Sequence, residues 1–79
     1  MNNREIPLTD LPPERKAKVV RIEGGFGLQN KLRVMGIREG QVIRIISKQF
    51  FQGPITVVVN GCQVTLGRGM AQRIIVEVM

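Results

Sequence analysis

The sequence predicts a mainly β fold: a small SH3-like β-barrel of about five antiparallel strands, with one helix inserted after the first strand and a short helical turn before the last. Three observations carry this expectation. Short runs rich in Val and Ile recur at 17–22, 41–50, 55–59, 63–66 and 74–78, most of them bounded by glycine, proline or asparagine. Only one longer stretch, from Leu28 to Met35, has convincing helical spacing. The chain has 79 residues, room for one domain over 1–79, and closing a bent sheet on itself is the economical way for so short a chain to avoid unpaired edges. An OB-type barrel is the second choice.

Residues 1–13 read as a proline-containing arm ahead of the barrel. Three of the four prolines fall between Ile6 and Pro13, where they fix the backbone and withhold amide donors, and Leu8 and Leu11 are its anchors. The first strand, Ala17 to Ile22, ends in the flexible turn Gly24-Gly25-Phe26-Gly27. In the helix, Leu28, Leu32 and Met35 share one face, Lys31 and Arg33 lie off it, and Gly36 supplies a left-handed stop. The segment 41–50 alternates loosely; Gly53-Pro54 turns the chain into Ile55-Thr56-Val57-Val58-Val59. Asn60-Gly61 is a strong hairpin signal, because a type I′ turn needs positive φ at both central residues. Gln63 to Leu66 is the returning strand, Met70 to Arg73 a helical turn, and Ile74 to Val78 the last strand.

Composition excludes several functions. With no His, Trp or Tyr and one Cys, the chain lacks the parts for disulfide frameworks, Cys/His zinc sites and histidine acid–base catalysis, so no catalytic residue is expected. The lone Cys62 suits a reducing cytoplasm and is expected to be a small, partly buried hydrophobe at a turn. No apolar stretch approaches the length of a membrane-spanning helix, and no secretory signal follows the polar start. Twelve Lys+Arg against six Asp+Glu give a net charge of +6, which admits nucleic acid, an anionic membrane or an acidic protein face as partner. The glycine turn at 24–27 opens a helix, as phosphate loops do, but Asn30 stands where the third glycine of G-x-G-x-x-G belongs and no Walker Lys-Ser/Thr pair follows. It is read as a flexible strand-to-helix turn.

Leu32-Arg33-Val34-Met35-Gly36-Ile37-Arg38-Glu39-Gly40-Gln41-Val42-Ile43 reads L-x-x-M-G-I-x-x-G-x-x-I. This resembles the FeoA-like family of ferrous iron transport proteins, whose helix ends in such a turn. Leu8-x-x-Leu11, Ala17-x-Val19-x-x-Ile22, Gly53-Pro54-Ile55-x-Val57-x-Val59-x-Gly61, Val64-x-Leu66 and Ala71-x-x-Ile74-x-Val76 continue the resemblance over nearly the whole chain. The structural motif residues are therefore Leu32, Met35, Gly36, Ile37, Gly40 and Gly61. One departure is Glu14, where the family often has glycine two residues before the Lys-Ala step, so the turn near Pro13 is expected to differ. The same domain also occurs behind helix-turn-helix modules in metal-responsive repressors.

The resemblance implies a non-catalytic accessory protein of ferrous iron uptake, cytoplasmic and peripheral to the inner membrane through its partner. That partner would be ferrous iron transport protein B, a membrane GTPase whose assembly or activity the chain would modulate, with room for weak self-association. No cofactor is expected. Iron(II) sites favour imidazole with carboxylate, and Glu5, Asp10, Glu14, Glu23, Glu39 and Glu77 are dispersed without paired spacing, so no metal site is expected either. Partner contact is assigned to Phe50 and Phe51, since period-two geometry buries only one of two adjacent side chains. Lys31, Arg33 and Arg38, flanking the helix and its Gly36 exit, are the basic candidates for an acidic partner face. The alternative is a small RNA-binding barrel: 20–27 resembles the glycine-ended first strand of KOW-type and ribosomal barrels. Against it, the basic residues are not clustered and stacking aromatics are few.

Overall fold

The computed structural model of the chain describes residues 5–48 and 53–79. Six strands form one antiparallel sheet: β1 (Glu5–Pro7), β2 (Lys16–Ile22), β3 (Val42–Lys48), β4 (Ile55–Val59), β5 (Cys62–Leu66) and β6 (Ile74–Val78). Helix α1 (Phe26–Val34) joins β2 to the β3 side, and the single turn α2 (Arg68–Ala71) precedes β6. The order across the sheet is β1-β6-β2-β3-β4-β5. Alternation places Ala17 and Val19, Ile43 and Ile45, and Ile55, Val57 and Val59 on one inner face. Leu8, Leu11, Leu32 and Ile37 close over that face, all fully buried.

The hairpin forms at Asn60-Gly61, with φ of 56° and 79° and Val59 paired to Cys62. Leu8 and Leu11 do anchor the arm, but its residues Glu5–Pro7 belong to the sheet rather than lying ahead of it. Ile6 pairs with Val76 and Pro7 with Ile75, which gives a sixth strand. A proline is tolerated there because β1 is an edge strand. Helix α1 starts two residues before Leu28, and α2 lies slightly earlier than 70–73.

The loose alternation at 41–50 has a cause. Register shifts occur between Ile45 and Ser47 in β3 and between Val19 and Arg21 in β2, and each such bulge bends the sheet and interrupts the two-residue period. Cys62 is exposed, not partly buried: it opens an edge strand just past the hairpin tip. At the Glu14 departure the backbone is one that glycine adopts freely. Glu14 itself takes the left-handed conformation, φ 68°.

Candidate partner-docking face

Helix α1 is defined at its end by local chemistry. The Gly36 amide donates to the Arg33 carbonyl and the Ile37 amide to the Leu32 carbonyl, both at 2.9 Å, while Gly36 holds φ 89°. This pair of bonds is a Schellman stop, and Leu32 and Ile37, the positions whose apolar side chains customarily accompany it, are both fully buried in the core cluster. At the start, the Gln29 side-chain amide donates to the Gly24 carbonyl at 2.9 Å. Leu28, Leu32 and Met35 attach the helix to the core. Gly40, at φ 91°, donates its amide to the Val19 carbonyl and carries the chain from the helix exit back to the sheet.

The opposite side of α1 is the candidate site. At ~100° per residue, Phe26 stands about 200° from Leu28, while Asn30 and Arg33 fall within about 40° of Phe26. Phe26 is 91% exposed and Val34 80%, the two most exposed large hydrophobics among the described residues. Phe26, Gly27, Gln29, Asn30 and Arg33 line a shallow groove of about 360 Å³ along this face.

The charge here has one sign. From Gly24 to Arg38 there is no acidic residue, while Lys31 and Arg33 occupy the last helical turn. Basic groups there favour the negative end of the helix dipole, so they also stabilise α1. Among the described residues the ion pairs are Arg21–Glu5 at 2.7 Å and Arg21–Glu23 at 3.1 Å; Lys31, Arg33 and Arg38 take part in neither. The hydrogen bond from Arg21 to Glu5, and then that to Glu23, raises the pKa of the Arg21 guanidinium above its ordinary value.

Of the residues assigned to partner contact, Arg33 lies beside Phe26, Lys31 sits toward the flank of the helix, and Arg38 is exposed beyond the Gly36 turn. Phe50 and Phe51 lie outside the described residues. The sequence reading does not include Phe26 and Val34 in the site, although helical spacing holds the signal: both fall off the Leu28–Leu32 stripe. Phe26 was hidden by its neighbours, because a glycine turn was expected where the helix already begins.

The arrangement can offer an aromatic contact with one guanidinium, that of Arg33, beside it. Among the described residues no group of three His, Cys, Asp or Glu side chains is placed to hold a metal ion, and no helix is long and apolar enough to cross a membrane.

A profile of the FeoA domain matches residues 6–78. The chain belongs to the FeoA domain family. Over 71 residues it is 32% identical to a Methanocaldococcus jannaschii protein assigned as an Fe(2+) transport protein A, a match covering 90% of this chain and 84% of that one. The crystal structure of an iron uptake regulatory protein, FeoA, superposes with a TM-score of 0.86 at 33% identity, covering 95% of this chain and 97% of the other. In fold alone, a manganese-dependent transcriptional repressor matches with a TM-score of 0.90 at 22% identity; all of this chain corresponds to 44% of the repressor. The same fold thus makes up nearly all of one matched structure and part of a longer chain in another. The SH3-like fold expected from the FeoA-like motifs holds, with the leading arm added to it as β1.

Proposed function

We propose that this FeoA-family chain acts in ferrous iron transport as a non-catalytic accessory protein. It docks through the outer face of α1 on the cytoplasmic part of ferrous iron transport protein B and modulates that protein's assembly or activity. Family membership supports the role in iron transport. The observation that carries the docking face is Phe26, a large aromatic 91% exposed on a helix whose only charges are basic. Burying such a ring against a partner removes more apolar area from water than any other single side chain on α1 could offer. Aromatic and arginine side chains are also those that most often dominate binding energy, which makes Phe26 and Arg33 the central pair. Lys31, on the flank of the helix, and Arg38, beyond its exit, lie outside the groove, where charge steers encounter with an acidic surface more than it adds affinity. In this reading the small barrel is peripheral to the inner membrane through its partner, and iron is cargo handled by that partner.

The test is co-purification of the full chain with the detergent-solubilised transporter. A Phe26→Ser/Arg33→Glu double variant, shown by circular dichroism to fold and melt like the parent, should bind at least about tenfold more weakly. Binding equal to that of the parent would remove α1 as the docking face.

A further inference from the structure

The outer face of the sheet carries a second feature, independent of the docking reading. Lys16 of β2 and Arg44 of β3 are direct cross-strand partners. Their neighbours Ala17 and Ile43, also paired with each other, are fully buried, so alternation turns Lys16 and Arg44 outward side by side. Like charges placed directly opposite each other across two strands repel. Neither residue takes part in the ion pairs found among the described residues. The acids that share this face are Glu77, paired in register with Lys18 and with Glu5, and Glu5 itself, which is ion-paired with Arg21.

Around the pair lies an open groove of about 410 Å³, whose lining includes Val42, Val58, Asn60 and Gly61 and no carboxylate. Val42 is 42% exposed and Val58 half-buried, giving the groove two apolar walls. Asn60 and Gly61 bring the hairpin turn to its rim, in backbone conformations set by their positive φ.

We propose that this groove binds a small phosphate monoester. Cβ atoms of directly opposed residues lie roughly 4.5–5.5 Å apart, so an ammonium and a guanidinium extending from them can close on one oxyanion. A phosphate monoester carries about −1.5 to −2 charge at neutral pH and balances both cations, whereas a single carboxylate leaves one unbalanced. The planar fork of Arg44 suits two phosphate oxygens, Lys16 adds a compact charge, and the Asn60 side-chain amide is an available donor at the rim. The organic part of the ligand lies against Val42 and Val58.

The test uses the full chain and three additives: ribose 5-phosphate, inorganic phosphate, and chloride at matched ionic strength. At roughly ten times its dissociation constant, ribose 5-phosphate should raise the melting temperature by at least about 5 °C. Inorganic phosphate should do less and chloride nothing. Lys16→Gln and Arg44→Gln should each abolish the shift. Their own ligand-free melting temperatures should stay level or rise, because one repelling charge has gone. Amide chemical-shift changes on adding ribose 5-phosphate should centre on Lys16, Arg44, Asn60 and Gly61, a readout that does not depend on the variants. An equal shift from chloride, persistence of the shift in both variants, or amide changes centred on α1 would each overturn the site. Inorganic phosphate matching the ester would overturn the organic ligand.

Discussion

Replacing Glu14 with glycine should stabilise this protein, although it deletes a side chain. Glu14 holds φ 68°, in the left-handed region. For an L-residue with a Cβ that conformation costs roughly 1–2 kcal/mol. The backbone cannot relax out of it cheaply, because the Glu14 amide donates to the Ile45 carbonyl at 2.7 Å and the Arg15 amide to the Pro12 carbonyl at 3.3 Å. Glycine removes the steric cost and returns about 0.5–1 kcal/mol of it as extra freedom in the unfolded chain. The net gain is therefore centred at ~0.75 kcal/mol. At roughly 4–8 °C per kcal/mol for a domain of this size, the melting temperature should rise by about 3–6 °C. Thermal unfolding followed by circular dichroism measures it, with Glu14→Ala as control. Alanine keeps the backbone penalty and removes the same carboxylate, which is exposed and in no ion pair found among the described residues. A glycine variant melting at or below the parent, or an alanine variant reproducing the gain, would refute the reasoning.

Two further outcomes follow from burial. Leu32→Ala removes a fully buried side chain from both the core and the helix stop, and should cost about 2–5 kcal/mol, read as a lowered urea midpoint; a loss below about 1 kcal/mol would mean that α1 is not docked as described. Cys62 should react in the native protein with a thiol reagent within about tenfold of the rate of a small free thiol, and Cys62→Ser should change stability by less than ~0.5 kcal/mol; protection of the thiol until unfolding would contradict its exposure.

How much was legible varied with how local the governing interactions are. The hairpin at Asn60-Gly61 and the stop at Gly36 were readable because each depends on the φ of one or two residues and on bonds that span a single turn. The arm was not fully readable. Leu8 and Leu11 marked it as anchored, but nothing within residues 5–7 shows that a strand some seventy residues later lies ready to pair with them. Glu14 sits between these cases: a residue in a position that suits glycine was visible as a departure, while its backbone conformation came from the bonds that Ile45 and Pro12 supply.

Residue order alone carries a small, mainly β domain with one helix, its principal turns, the aliphatic core and the lack of histidine chemistry. These rest on side-chain periodicity and on backbone preferences that each residue carries with it. Which surfaces can act depends on how the chain packs. Phe26 became an exposed anchor once Leu28 and Leu32 had chosen the core side of α1, and Lys16 came to face Arg44 only through the pairing register of β2 with β3. Register and packing side are set by the burial of every strand at once, so no residue encodes them alone.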